Sequence, residues 1–399
     1  MSAVPLHPVA ATPALPVWMA AQTAPPPLAS RRHRRVVQAV DGVHLTVDGR
    51  RLLGFCSNDY LGLAGDPALS DAAIRGIGRW GVGAGASHLI SGHTSAHQAV
   101  EDHAARWLGC ERALLFSSGY LANLAVITAL ADRGTAIFAD RLNHACLNDG
   151  ARLSGARLKR YPHGDLLALR RLLEADASPK KWVLTDAVFS MDGDLAPLAE
   201  LLSLCHEFDA MLLVDDAHGF GVLGDGRGSL AELALVGAEG LDPRVVVMVT
   251  LGKAAGVAGA LVCGAAPVIE ALVQGARSYV YTTAAPPALA EAVLAALLRL
   301  ADADCTMRRA RVLAHARRLR SFAAGGLAIA PIVPILLGSD VRAVSVAEAL
   351  LARGLWVPAI RPPTVPAGTA RLRVSLSAAH TTEQVDQLID ALKELQIDG

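Results

Sequence analysis

Six short apolar runs separated by stretches of helical periodicity constrain this chain more than anything else in it. The runs cover residues 113–116, 135–138, 182–186, 211–214, 245–249 and 259–263. A strand buried on both faces reads as a nearly continuous apolar run, and parallel neighbours need a crossover helix between them. Such helices are visible in the sequence. Val100, Ala104, Trp107 and Leu108 recur at helical spacing and stop at Gly109, and Leu195, Leu198, Leu201, Leu202 and Cys205 do the same in a later connection. The expected fold is therefore α/β, a doubly wound and mostly parallel sheet.

At 399 residues the chain exceeds what one core usually holds. Texture divides it into an N-terminal extension and small segment (1–57), a large domain (58–290) and a C-terminal α+β domain (291–399). The last part opens with a long Ala/Leu/Arg helical stretch and continues with the alternation Leu372, Val374, Leu376. Its final helix is expected to start at Thr381, where Gln384 three residues on completes a capping-box pattern.

Lys plus Arg number 37 and Asp plus Glu 37, so no basic excess draws the chain to nucleic acid or an anionic membrane. The most apolar window, 254–272, is interrupted by glycines, Pro267 and Glu270, and reads as a buried strand plus helix rather than a membrane span. The six cysteines (56, 110, 146, 205, 263 and 305) form no Cys-x-x-Cys pair, which suits reduced thiols in a cytoplasmic protein. Prolines break the apolar N-terminal runs, so a signal peptide is not expected. The basic cluster 31–35 that follows reads either as a solvated charge run or as an anchor for an anionic substrate.

The chemistry concentrates where strands stop. Val214-Asp215-Asp216-Ala217-His218-Gly219 and Val249-Thr250-Leu251-Gly252-Lys253 each run from apolar residues into ionisable ones, as strands do when their carboxyl ends open onto a ligand site. A desolvated Lys253 amine becomes a nucleophile, whereas a lysine that reaches water is merely a strand end. An acid, a histidine and a lysine together suit a pyridoxal phosphate Schiff base, the acid pairing with the pyridine nitrogen. A carboxylate about 4 Å from a cationic ring nitrogen gains roughly 4 kcal/mol at an effective dielectric near 20. The alternatives for Asp215 are a helix cap or an ion pair, and for His218 a structural histidine. Ser117-Ser118-Gly119-Tyr120 precedes an apolar helix and reads as a phosphate cradle or an ordinary capped turn. Ser190 and His144 are further polar residues just past strands. Gly81-Val82-Gly83-Ala84-Gly85 follows no strand, so it is no dinucleotide fingerprint.

With these segments assembled, the chain resembles the α-oxoamine synthase family, whose fold is aspartate-aminotransferase-like (pyridoxal phosphate fold type I). The segments that carry the resemblance are Ser57-Asn58-Asp59-Tyr60-Leu61-Gly62-Leu63, Leu115 to Tyr120, Asp140-Arg141-Leu142-Asn143-His144, Val188 to Asp194, Asp215 to Gly219, Thr250 to Lys253 and Ile360 to Arg373. The resemblance implies pyridoxal phosphate bound to Lys253, which would also move the α-proton. It implies Asp215 at the pyridine nitrogen, His218 and Ser190 at the phenolic oxygen, and His144 on the ring face. Gly119, Tyr120 and Thr250 would hold the phosphate, with Thr283 reaching it from the other subunit of a homodimer with shared active sites. Arg373 would clamp the amino-acid carboxylate with Asn58 nearby, and Arg32 and Arg361 would lie near the acyl substrate.

The activity so implied is a decarboxylative condensation of L-alanine with a pimeloyl thioester, pimeloyl-CoA or pimeloyl-acyl carrier protein, in biotin biosynthesis. No metal, nucleic acid or membrane enters it. The rival within the family is a member that uses glycine or serine: a glycine C-acetyltransferase, a 5-aminolevulinate synthase or a serine palmitoyltransferase. The rival outside catalysis is a binding subunit that keeps the fold, against which the presence of Lys253 with its acid and histidine argues.

Overall fold

The computed structural model describes residues 16–23, 34–323 and 330–397. After a short helix, Val17–Gln22, the chain forms a meander of β1 (Val37–Asp41), β2 (His44–Val47) and β3 (Arg50–Gly54). Asp48 and Gly49 both take positive φ (51° and 72°) between the paired residues Val47 and Arg50. That is the turn an Asp-Gly pair favours, because its twist matches the strands it joins.

The large sheet follows, built from β4 (Arg112–Phe116), β5 (Thr135–Asp140), β6 (Arg157–Tyr161), β7 (Lys180–Asp186) and β8 (Met211–Asp215). After a two-residue ladder of β9 (Val236–Gly237) with β10 (Gly240–Leu241) come β11 (Val245–Thr250) and β12 (Ala260–Gly264). Seven strands lie in the order β4-β12-β11-β8-β7-β5-β6, with β12 antiparallel to both neighbours and the rest parallel. Six of them are the six apolar runs. The seventh, β6, is the edge strand Arg-Leu-Lys-Arg-Tyr, whose exposed Arg157 and Arg160 protect the edge. Those charges also hid it from a search for apolar runs.

Two further sheets build a smaller lobe. β13 (Ile332–Gly338), β16 (Ala370–Ser375) and β15 (Ala359–Ile360) form one, while β14 (Leu355–Trp356) adds in parallel to β3. Strands from both ends of the sequence thus share one sheet, a pairing that no local pattern announced. The final helix, Thr382–Glu394, carries the expected capping box between Thr381 and Gln384. The Ala/Leu/Arg stretch is two helices, Pro287–Leu300 and Ala303–Phe322, the second capped by Asp302 through Cys305 N at 2.9 Å. The first packs on the helix Pro67–Trp80, where a Cβ at Gly76 would come 2.7 Å from Ala288 Cα. Only glycine permits that approach. Leu195 differs from expectation: it bridges Val188, and the helix Leu198–Glu207 starts only after Pro197. Among the described residues no helix is long and apolar enough to cross a membrane.

Candidate active site

Three parallel strands end on one edge of the large sheet, β7 at Asp186, β8 at Asp215 and β11 at Thr250. Asp186 stands in register with Asp215, and Asp215 with Met248. The carboxyl edge of such a sheet is where ligands bind, since backbone amides and loop side chains converge there.

Lys253 turns back into this edge, its Nζ 2.8 Å from His218 Nε2. Burial brings its amine down to about 8, with Asp215 and Asp186 opposing the shift. Burial, and then the charge of Lys253, hold His218 well below the usual imidazole value, so it is neutral. A neutral imidazole has one donor and one acceptor. With Lys253 donating to Nε2, His218 Nδ1 donates to the Tyr60 hydroxyl at 2.7 Å, which donates to Asn58 Oδ1 at 3.2 Å. Arg373 donates to the same Asn58 oxygen from Nη1 and Nη2 at 3.3 Å each, to Ser190 O at 2.5 Å and to Ser375 Oγ at 2.7 Å.

The acids are held as firmly. Asp215 accepts from Ala217 N at 3.1 Å and from Asn123 Nδ2 at 2.7 Å. Asp186 accepts from His144 N at 3.0 Å, and burial plus the charge of Asp215 push its carboxyl well above the ordinary range. His144 caps the helix Ala145–Ser154 by accepting from Cys146 N. Ser118 caps the helix Gly119–Leu130, whose first amides have no intrahelical acceptor.

Lys253, Asp215, His218, His144, Gly119, Tyr120 and Thr250 all line one cavity of about 190 Å³, together with Asp186, Cys146, Ala217 and Met248. Ser190 lies instead on a neighbouring cavity of about 560 Å³, which shares His144 with the first. Arg141, Arg160, Met191 and Val365 also line that larger space, as does Arg371, which is paired with Asp192. Arg373 and Asn58 are hydrogen-bonded to each other, and neither is among the residues that line these two cavities. Thr283 pairs with Ser87 in an isolated bridge and does not line the smaller cavity of its own chain. Arg361 lines a third cavity with Arg35, Glu348 and Trp356 and is not among the residues that line the first two. Arg32 lies outside the described residues.

Sequence reasoning assigned no role to Tyr60, Asn123, Cys146, Asp186 or Arg371. Two of these had a readable signal. Asp186 ends an apolar run as Asp215 does, and Asn123 is an amide inside an otherwise apolar helix.

A model of the aminotransferase class I and II family matches residues 50–392. The 8-amino-7-oxononanoate synthase of Herminiimonas arsenicoxydans is 54% identical over 372 residues, covering 92% of this chain and 95% of that protein. That of Nitrosomonas europaea is 55% identical over 368 residues, covering 91% and 95%. A serine palmitoyltransferase solved as its pyridoxal phosphate internal aldimine superposes with a TM-score of 0.86 at 29% identity, covering 91% of this chain and 93% of that one. The lysine, acid and neutral histidine on one sheet edge agree with that kinship, and the chain belongs to the aminotransferase class I and II family and, within it, to the 8-amino-7-oxononanoate synthases.

Proposed function

We propose that this protein is a pyridoxal phosphate-dependent acyltransferase that joins L-alanine to a pimeloyl thioester, releasing 8-amino-7-oxononanoate, carbon dioxide and the free thiol. The observation that most supports it is the half-buried Lys253 amine, facing Asp215 and His218 in a cavity that meets a larger one at His144. The donor set fits the cofactor. The cavity offers an amine of lowered pKa, a buried carboxylate, a helix N-terminus and the Thr250 hydroxyl, matching an aldehyde, a ring nitrogen and a phosphate.

Pyridoxal phosphate, when bound, supplies a carbonyl for amines and a cationic ring that accepts the electron pair of a carbanion. The protein supplies the rest. Lys253, at about 8, is poised to take up and return a proton near neutral pH. His218, kept neutral, offers Nε2 as an acceptor to that amine and so orients it. Asp215 would hold the ring nitrogen protonated. Arg373, fixed by Asn58, Ser190 and Ser375, would bind the alanine carboxylate, a task suited to a rigid guanidinium fork. The larger cavity would take the acyl chain against Leu142, Phe189, Met191 and Val365, with Arg141 and Arg160 available to an anionic end. Thr283 would reach the phosphate of a second protomer in a homodimer, and the protein would work in the cytoplasm.

The test pairs a chemical trap with a substrate matrix. Borohydride should fix the cofactor covalently to Lys253, and Lys253→Ala should abolish both fixation and turnover. Carbon dioxide and thiol release should be greatest with alanine and a pimeloyl thioester among alanine, glycine and serine, each with pimeloyl and acetyl thioesters. Turnover by Lys253→Ala, or preference for serine or glycine, would sink the assignment.

A further inference from the structure

The helix Gly119–Leu130 buries an amide it does not need for packing. Asn123 has no solvent exposure, and its Oδ1 is buried without a hydrogen-bond partner among the described residues. An unpaired buried carbonyl is unfavourable, so an apolar side chain of the same size would suit the helix better. What Asn123 gains lies on its other atom. Its Nδ2 donates to Asp215 Oδ2 at 2.7 Å and to Cys146 Sγ at 3.1 Å, one proton for each. Ala217 N holds the other oxygen of Asp215 at 3.1 Å, so the carboxylate cannot rotate without losing a donor.

Cys146 carries the connection onward. Its Sγ lies 2.9 Å from His144 Nδ1 and 3.9 Å from Asp215 Oδ2. The Cys146 backbone N–H donates to the same His144 Nδ1 at 3.3 Å, so that nitrogen presents its lone pair and the ring proton sits on Nε2. The thiol can therefore accept from Asn123 and donate to His144. Four side chains from three elements form one unbroken line: Asp215, Asn123, Cys146, His144.

We propose that Asn123 and Cys146 are positioning residues that lock the Asp215 carboxylate and the His144 imidazole in one mutual orientation and thereby keep the cofactor's ring nitrogen protonated. This rests on the reading that the cavity binds pyridoxal phosphate. Asn123 acts on the acid, and Cys146 couples the acid to the imidazole and fixes its tautomer. Neither needs to touch the reacting atoms.

The test follows the ring nitrogen itself, in enzyme reconstituted with cofactor labelled with ¹⁵N in the pyridine ring. Wild type should show the protonated chemical shift well above neutral pH. Asn123→Leu, which keeps the number and branching of side-chain heavy atoms and removes the donor, should lose the ring proton at a pH lower by about one unit, equivalent to a tenfold change in that equilibrium. Cys146→Ser retains a donor and an acceptor and should behave as wild type, whereas Cys146→Ala should fall between. KM for the thioester should not move. If the Asn123 variant does not fold, the Cys146→Ala and Cys146→Ser pair decides alone, equal ring titration in both overturning the proposal. Folded Asn123→Leu with an unchanged ring titration, and only a lower Tm, overturns it too while leaving the functional reading intact. Wild type that takes up no cofactor overturns both.

Discussion

Replacing His163 tests how the loops around the larger cavity are held. His163 Nδ1 lies 3.2 Å from both oxygens of Asp140, and its Nε2 lies 2.9 Å from Asp194 Oδ2. Asp140 leads into the Arg141–His144 segment, and Asp194 closes the segment that carries Ser190 and Asp192, so one imidazolium clamps two walls of the cavity. The two carboxylates raise the histidine from 6.5 to about 10. At about 1.36 kcal/mol per pKa unit, that shift bounds the contribution at roughly 5 kcal/mol. The His163 side chain is 32% exposed and Asp194 42%, so screening reduces the expected value to about 1–2 kcal/mol. The folded-state pKa is raised, so this stability is present in full below about pH 6.5 and is lost as pH rises through about 10. Urea unfolding of wild type and His163→Gln at several pH values reads it directly. The variant should be less stable by about 1–2 kcal/mol at pH 6, and the gap should close above pH 10. A difference that stays constant with pH, or a His163 resonance that titrates near 6.5, would refute the clamp.

Two other substitutions probe the site's supports. Gly256 sits three residues past Lys253 at φ +71°, and a Cβ there would meet Ala64 N and Leu63 C at 2.5 Å. Gly256→Ala should therefore cost about 3 kcal/mol or more and loosen the lysine loop; an unchanged Tm and cofactor affinity would contradict this. Arg141→Ala and Arg160→Ala should each raise KM for a coenzyme A thioester about two- to fivefold, as expected for exposed charges, with kcat preserved and the effect fading in salt. A short thioester lacking both a phosphate and a terminal carboxylate should be indifferent to either change, and equal losses on both substrates would argue against a role in binding the anion.

The sequence by itself determined the α/β layering and the edge on which the chemistry lies. Buried parallel strands must be apolar along their length, and their carboxyl ends fall on one side, so Asp215, His218 and Lys253 were legible as neighbours before any coordinates. Local signals also marked Thr381 with Gln384 and the stop at Gly109, because a cap is written within four residues of itself. The edge strand β6 escaped because solvent-facing charges erase the apolar pattern. Only the tertiary structure decided how the site is braced. Tyr60 meets His218 across 158 residues, Asn123 meets Asp215 across 92, and Arg373 meets Asn58 across 315. It also set Arg361 on a different cavity from Arg371, ten residues apart, though both belong to one of the segments that carried the resemblance. Periodicity records which face of an element is buried, but the partner a polar side chain meets depends on how distant elements pack, and no local pattern encodes that.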